Sequence, residues 1–416
     1  MIRERGPLTV AAFMDLALYD PELGYYARAA QRSGRAGDFF TSVDLGPLFG
    51  ELLEVQIEEM FRLVQPPAPS PQPPFDLVEA GAGNGRLSAD ILRAAMRDHP
   101  HLYNRIRLHL VEASRVARRA QHETLAEVAD RLTSSESSLP ASFEGVLVAN
   151  ELLDAMPTHQ VVMREDGLRE VYVSHQSLSR QSITTRDSRL TTDDSGLTTD
   201  DWRLTTVEGP PSTPALAEYL DRIGVGLEQG WRVEVNLRSI EWIRDAARRL
   251  RRGFIIIIDY GHEAHELYSA SHSAGTLTTF FGHRSAGPEL RPDAPAWLQN
   301  AGEQDITAHV DFTSVRAAAE EEGLTTLGFL DQTYFLLGLL EGNERLRRSV
   351  LDPGERNGAS ASARGGGALR GLKNAIRNFK TLVMPGGLGS SHKVLILGKN
   401  VGTPSLKGSS YRMRVT

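Results

Sequence analysis

Short, almost entirely apolar segments recur along the chain, and each of them runs into a polar or acidic residue. The clearest examples cover residues 75–78, 106–111, 145–149 and 254–258. Short runs with apolar residues at consecutive positions are typical of strands in a parallel sheet that is covered on both faces. A further apolar segment at 393–397 predicts a final strand.

Apolar residues spaced three and four positions apart predict amphipathic helices around these strands. The predicted helices cover residues 7–18, 46–64, 86–98, 115–129, 215–223, 239–250, 314–322 and 332–341. Thr313 or Ser314 is expected to cap the helix that follows them. The alternation of strands with helices predicts an α/β fold built on a doubly wound, mostly parallel sheet.

Changes in composition predict the domain boundaries. Residues 1–65 are predicted to form a helical cap or lid, followed by a proline-rich linker at 66–74, for which a ligand of a proline-binding partner is the alternative interpretation. Residues 75–400 form the main domain, with an inserted subdomain at about 157–240. The repeated Leu-Thr-Thr-Asp-Asp of residues 177–206 predicts a surface loop, and residues 401–416 a flexible tail.

Residues 75–88 combine a strand, a glycine turn and a helix, as at the start of a Rossmann-type unit. Glu79 precedes Gly81, Gly83 and Gly85, so the third glycine comes one residue earlier than in a dinucleotide-binding G-x-G-x-x-G. An acid at this point disfavours a pyrophosphate. It suits a ligand with a cationic or hydroxyl-rich end, such as S-adenosylmethionine (SAM). A plain glycine turn without a ligand is the alternative.

Acidic and amide side chains also follow the other strands. Glu112 stands where an acid can accept hydrogen bonds from both ribose hydroxyls of an adenosine. Asn150, Glu151 and Asp154 follow the strand at 145–149, and carboxylates there can hold a guanidinium by paired hydrogen bonds. A structural charge at a helix start is the alternative for Asp154. Because ligands bind at the carboxyl ends of such strands, we expect a single cleft.

Three further groups are weaker candidates. Thr41 and Ser42 follow a Gly/Arg/Ser-rich segment and suit a lid, although a helix-entry turn explains Ser42 equally well. Asp305, His309 and Asp311 have spacings that do not share one strand face, so we predict no metal site and a polar substrate wall instead. His283 on its own favours a structural role.

The composition limits the function classes. The chain has 416 residues, a formal net charge of −7 and no cysteine, which excludes disulfides and thiolate chemistry and argues against a general nucleic-acid binder. Its longest apolar run, residues 254–258, is far shorter than the ~20 residues of a membrane span. The first residues show no signal peptide or presequence pattern, so we expect a cytoplasmic protein without membrane insertion.

Several motifs in the same order resemble the MidA-like SAM-dependent methyltransferases. The motifs are Gly37-Asp-Phe-Phe-Thr-Ser42, Glu79-x-Gly-x-Gly-x-Gly85, Val111-Glu112-x-Ser114, Asn150-Glu-x-x-Asp-Ala-x-Pro157, Asp259-Tyr-Gly261 and Gly302-Glu-Gln-Asp-Ile-Thr307. The resemblance covers roughly residues 7–400. It implies a Rossmann-like class I methyltransferase fold with an antiparallel last strand, an N-terminal helical cap and inserted elements. The mitochondrial member of this family is an arginine methyltransferase that assists assembly of respiratory complex I.

The resemblance also implies roles for individual residues. Glu79 and the three glycines would hold the methionine end of SAM, Glu112 and its neighbour Ala113 the ribose, with Thr41 and Ser42 in the cap. Asn150, Glu151 and Asp154 would lie beside the transferred methyl group. On the substrate side we expect Asp259, Tyr260, His283 and Asp305.

The implied partner is an arginine-containing protein, for example a complex I-type subunit, with no nucleic acid and with a homodimer as one candidate assembly. Methyl transfer to a small molecule and a catalytically silent assembly factor are the alternative functions.

Overall fold

The computed structural model describes residues 2–29, 41–65, 73–177, 202–281, 284–288, 295–351, 377–384 and 388–411. The strands of this part of the chain are β1 (Leu8–Thr9), β2 (Phe75–Ala80), β3 (Ile106–Val111), β4 (Leu132–Glu136), β5 (Phe143–Asn150), β6 (His159–Arg164), β7 (Gly167–Ser177), β8 (Trp202–Gly209), β9 (Arg232–Val235), β10 (Leu250–His262), β11 (Thr278–Phe281), β12 (Arg284–Ala286), β13 (Asp305–Thr307), β14 (Val310–Asp311), β15 (Thr325–Asp331) and β16 (His392–Lys399).

The described residues include α1 (Ile2–Arg5), α2 (Val10–Tyr19), α3 (Tyr25–Ala29), α4 (Leu48–Val64), α5 (Arg86–Asp98), α6 (Pro100–Tyr103), α7 (Arg115–Leu125), α8 (Ala215–Ile223), α9 (Leu237–Arg249), α10 (Ala264–Leu267), α11 (Phe312–Glu321), α12 (Gln332–Glu341), α13 (Glu344–Leu351) and α14 (Leu388–Ser391), and residues 377–383 are also helical. Eight of these helices, namely α2, α4, α5, α7, α8, α9, α11 and α12, match the predicted amphipathic segments to within four residues at each end, whereas the other numbered helices were not predicted. The predicted cap of α11 is wrong: the side chain of Asp311 accepts from the backbone N–H groups of Thr313 and Ser314 and begins this helix.

One sheet organises the molecule, with strand order β15–β16–β10–β5–β2–β3–β4 and with β14 beside the end of β10. The pairs from β10 to β4 are parallel, whereas β16 lies antiparallel to both β10 and β15. This arrangement confirms the predicted doubly wound sheet with an antiparallel last strand. Its consequence is that β2, β3, β5 and β10 all end at the same edge.

The sheet lies between two layers of helices. Successive side chains of β10 point to opposite faces. Phe254, Ile256 and Ile258 pack with α4, α5 and α12, and Ile255 and Ile257 pack with α8, α9 and α11 on the other side. Because both faces are covered, every position in this run can be apolar, as the sequence is.

The predicted N-terminal cap is not a separate unit. Leu8 of β1 pairs with Val173 of β7, which joins the first residues to a second sheet with the order β1–β7–β6–β9. The apolar face of α2 packs on this inserted sheet, whereas α4 belongs to the main core. Within the predicted cap, α2 therefore packs on the inserted sheet and α4 packs in the core of the main sheet.

Two predicted flexible regions are partly wrong. Residues 202–206 belong to β8, an edge strand paired with β7, whereas residues 178–201 lie outside the described residues. In the predicted tail, Leu406 is buried and the backbone N–H of Gly408 donates to Oε1 of Gln56 at 3.0 Å. Residues 406–409 thus pack on α4 and α12. Among the described helices, none is both long and apolar enough to cross a bilayer.

Candidate functional site

A cavity of about 630 Å³ opens at the edge where β2, β3 and β5 end. Its walls come from the glycine turn, the segment after β5, the N-terminal helices and β13. The sequence-predicted residues that line it are Thr41, Glu79, Gly81, Gly83, Glu112, Ala113, Asn150, Glu151, Asp154 and Asp305. The expected single cleft is therefore present.

The three positions of the turn require glycine for different reasons. All three have positive φ, which favours glycine. A Cβ on Gly83 would meet no atom within 4 Å, so the bare backbone there leaves room in the cavity. Gly85, which the sequence predicts in the cofactor site, does not line the cavity. Its missing Cβ would come within 3.2 Å of Leu110, and the residue is the left-handed N-cap of α5.

Glu79 is 6% exposed, and its carboxylate faces the first turn of α5. Its Oε2 accepts a hydrogen bond from the backbone N–H of Ser88 at 3.1 Å and a second one from the Ser88 hydroxyl. Burial raises the pKa of Glu79 to about 7, although the bonds from Ser88 act in the opposite direction. Glu79 is therefore a buried acid of the cavity wall whose carboxyl group titrates near neutral pH.

Glu112 is held in place from two sides. Its Oε2 accepts from the backbone N–H of Gly83 at 2.8 Å, and its Oε1 accepts from that of Ser114 at 2.7 Å. Each carboxylate oxygen has two lone pairs, so each can accept one more hydrogen bond. The side chain is thus a fixed acceptor of paired hydroxyl donors.

The backbone turns sharply after β5, at Glu151, which has φ +50°. A positive φ in a residue with a Cβ is strained and recurs at functional sites. The turn directs the Glu151 side chain towards the cavity, where it is 7% exposed. Oε1 contacts Nδ2 of Asn150 at 3.2 Å and lies 3.6 Å from Nε2 of His392, whereas Oε2 is buried and accepts no hydrogen bond.

Asp154 lies further along the same wall and is 3% exposed. Its Oδ1 is buried without a hydrogen-bond partner. Burial, followed by the nearby carboxylates of Asp259, Glu151 and Asp305, raises the pKa of Asp154 well above its usual range. A cation entering the cavity would relieve this repulsion.

Two residues predicted on the substrate side lie behind the cavity wall. Oδ2 of Asp259 accepts from the backbone N–H groups of Leu152 and Leu153 at 3.1 and 2.8 Å, so this carboxylate positions the segment between Glu151 and Asp154. Burial raises the pKa of Asp259 to about 7. The ring of Tyr260 packs on His392, with 3.8 Å between the centroids. Neither residue lines the cavity.

Asp305 does line the cavity, and beside it lies an aromatic wall that was not predicted. Its Oδ1 accepts from the Tyr26 hydroxyl at 2.9 Å, and the Tyr26 ring lies 5.3 Å from that of Tyr19. The hydroxyl of Tyr19 in turn donates to the carbonyl of Ala155 at 2.9 Å. Aromatic side chains of the N-terminal segment thereby cover the acidic wall.

Ser42, in the N-terminal segment, contacts both Glu151 and Gln332 and so supports the cavity wall. The backbone N–H of Ser42 donates to Oε1 of Glu151 at 3.4 Å, and its fully buried hydroxyl contacts Gln332. Ser42 itself does not line the cavity, whereas Thr41 does. His283 lies outside the described residues. At the rim, Arg238 pairs with Asp15, and Trp242 extends from the same helix, α9.

The comparisons with known proteins agree with this architecture. Residues 52–330 match the model of a family described as S-adenosyl-L-methionine-dependent methyltransferases. The chain is 30% identical over 359 residues to the mitochondrial protein arginine methyltransferase NDUFAF7 of Mus musculus, covering 80% of this chain and 71% of that protein. It is 28% identical over 378 residues to the Drosophila melanogaster homolog, covering 83% and 74%.

A solved structure from Burkholderia thailandensis, bound to S-adenosyl-homocysteine, superposes with a TM-score of 0.75. It is 25% identical, over 98% of this chain and 92% of that one. The fold, the cavity at the strand ends and the matched region point to one conclusion: the chain belongs to this family of SAM-dependent methyltransferases.

Proposed function

We propose that this enzyme transfers a methyl group from SAM to the side chain of an arginine in a protein. The observation that carries the acceptor assignment is the pair of buried carboxylate oxygens in the cavity that accept no hydrogen bond, Oε2 of Glu151 and Oδ1 of Asp154. A guanidinium presents planar, parallel N–H donors that match carboxylates. The names of the relatives as arginine methyltransferases support the same acceptor.

The cavity residues fit SAM. Glu112 is fixed by two backbone N–H groups with lone pairs to spare, as hydroxyl recognition requires. Gly83 leaves space beside it. Glu79 supplies a buried carboxylate for a cationic group. We assign Glu112 to the ribose and Glu79 with the glycine turn to the methionine end. The methyl group on the sulfonium is the chemistry that SAM supplies when bound.

The residues of the chain then have three tasks in the reaction. Glu151 and Asp154 orient the guanidinium so that one nitrogen faces the methyl carbon. A nitrogen–carbon bond forms as the sulfur–carbon bond breaks, and the guanidinium loses one proton. Asp154, whose pKa is raised, is suited to accept that proton. Tyr19 and Tyr26 exclude water from the acidic wall.

Isotope labelling tests the acceptor directly. An extract of cells that lack this protein is incubated with the purified enzyme and SAM carrying a trideuterated methyl group, and tryptic peptides are sequenced by mass spectrometry. We expect the heavy methyl group on arginine in one or a few proteins. The family resemblance favours a subunit of a complex I-type assembly as the acceptor.

An Asp154→Asn enzyme serves as the control, because it keeps the shape of the site and removes the charge. Heavy methyl groups on lysine, on histidine or only on metabolites would contradict the arginine assignment. Arginine labelling that the variant produces as fast as the wild type would instead exclude Asp154 from the reaction.

We expect Glu112→Gln to weaken binding of SAM and of S-adenosyl-homocysteine by about 10–100-fold, because hydrogen bonds to a charged group contribute about 1.5–3 kcal/mol. Isothermal titration calorimetry measures the effect. Glu136→Gln is the matched control, since Glu136 ends the neighbouring strand β4 with an exposed side chain outside the cavity. Equal affinities of the two variants for SAM would show that Glu112 does not bind the cofactor.

A further inference from the structure

Three histidines from separate segments meet outside the catalytic cavity. His262 ends β10, His272 ends the short 3-10 turn Ala270–His272, and His309 lies between β13 and β14. Their ring centroids are 5.0, 5.3 and 5.9 Å apart, and one ring nitrogen of each lies within 4.8 Å of the other two. None of them lines the cavity.

Backbone packing brings the strands that carry two of these histidines together. Gly261 pairs with Val310 in the parallel register of β10 and β14, and a Cβ on Gly261 would come within 2.1 Å of the Val310 carbonyl oxygen. Only glycine permits this approach. The adjacent residues, His262 and His309, are therefore fixed near each other by the fold.

Two of the rings have partners that leave the opposite nitrogen available. Nδ1 of His272 lies 3.1 Å from the backbone carbonyl of Glu266, to which it can donate, so that Nε2 keeps its lone pair. Nδ1 of His262 lies 3.0 Å from Oε1 of Glu266, close but not aligned as a hydrogen bond. A carbonyl or carboxylate behind the imidazole is the usual second layer of a metal site.

The third histidine, His309, is partly buried and has one ring nitrogen without a partner. Nδ1 of His309 is inaccessible to solvent and makes no hydrogen bond. No hydrogen bond joins the three rings among the described residues. A buried imidazole nitrogen without a hydrogen-bond partner is costly in a protein interior and is suitable as a metal ligand.

We propose that His262, His272 and His309 bind one divalent transition-metal ion, with Zn²⁺ as the best match. Imidazole nitrogens suit this borderline ion, and three protein ligands with water as the fourth complete a tetrahedral set. Zinc–nitrogen bonds of about 2.0–2.1 Å require the ligand atoms to move together by about 1 Å. The side chain of Glu266 is 60% exposed, so it can follow the His262 ring as the ring moves.

The metal has a structural role in this arrangement. It ties the end of β10 to the segment between β13 and β14. In that segment the backbone N–H of Ala308 donates to the carbonyl of Asp154 at 2.9 Å. Asp305, which holds Tyr26, begins the preceding strand β13. The ion therefore stabilises the acidic wall from behind without contacting the acceptor.

Metal titration of the tag-free full-length chain tests the proposal. After dialysis against a chelator, the protein is titrated with Zn²⁺ by calorimetry and with Co²⁺ by visible absorption, and its melting temperature is recorded with and without Zn²⁺. We expect one equivalent to bind with micromolar or tighter affinity, with cobalt d–d bands and a higher melting temperature.

Variants locate the ion. His272→Ala and His262→Gln each remove one ligand, and each is expected to weaken binding by more than about 100-fold, because loss of an outer partner alone costs about 10–100-fold. His265→Ala is the matched control, since His265 is exposed on the neighbouring helix α10. Binding weaker than about 100 µM to the wild type, or an affinity equal to that of the wild type in both ligand variants, overturns the proposal. Circular dichroism of the metal-free variants shows that each is folded.

Discussion

Asp154→Asn is expected to lower kcat for methyl transfer by about 10²–10³-fold, the usual cost of removing one preorganised polar group that faces developing charge. The substitution keeps the volume of the side chain and removes the carboxylate whose Oδ1 is buried without a partner. Affinity for S-adenosyl-homocysteine should stay within a few-fold of the wild type, because Glu112 and the glycine turn are untouched. Steady-state kinetics and calorimetry together measure both quantities.

Asp15→Asn is the matched control for this experiment. Asp15 also lines the cavity, but its side chain is 50% exposed and pairs with Arg238, which is 55% exposed. Exposed ion pairs contribute about 0–1 kcal/mol, so we expect less than about a five-fold change in rate. A rate for Asp154→Asn as high as that of the Asp15 variant would exclude Asp154 from the chemistry.

The same carboxyl predicts a pH dependence. Its pKa lies well above the usual range in the free enzyme, so Asp154 is protonated there at pH values at which an exposed aspartate is ionised. Binding a guanidinium requires the ionised form. The kcat/KM of the wild type should therefore rise with pH, since this parameter reports the free enzyme. Asp154→Asn should flatten that rise, and an unchanged profile would contradict the assignment.

The sequence predicts the frame of the site because its signals are local. A buried parallel strand requires consecutive apolar residues, and the positive φ values of the turn require glycine at residues 81, 83 and 85. Helix α5 begins and ends where predicted, at Arg86–Asp98. The convergence of Glu112, Glu151 and Asp154 follows from sheet topology alone.

The remainder of the site depends on contacts between distant segments. Tyr19 reads as the end of a helix, and only its bond to Ala155, 136 residues away, brings it to the cavity. Asp259 follows an apolar strand just as Glu112 does, yet its carboxylate is used by backbone N–H groups. The three-histidine cluster likewise joins positions that share no spacing pattern. In the sequence, the adjacent tyrosines at residues 25 and 26, next to a polar segment, are the one local sign of this aromatic wall.

Glu79→Gln should change the pH dependence of stability more than any other single change at the turn. The native state holds the Glu79 proton up to a pKa of about 7, whereas an unfolded glutamate releases it near 4.5. The native state thus binds more protons between these values, so the free energy of unfolding falls as pH rises through this window. The full effect is about 3 kcal/mol and is complete above pH 7. Glutamine can still accept from Ser88 and has no charge to bury.

Urea unfolding at pH 5 and pH 8 therefore separates the two proteins. The stability of Glu79→Gln relative to the wild type should increase by about 2–3 kcal/mol between these pH values, and Glu136→Gln, at an exposed glutamate, should show no such change. A difference independent of pH would refute buried ionisation at residue 79. If Glu79 contacts the cationic end of SAM, the same substitution weakens SAM binding at pH 8 while it stabilises the free enzyme. Higher stability together with weaker SAM binding would show that the charge of Glu79 destabilises the free enzyme but contributes to ligand binding.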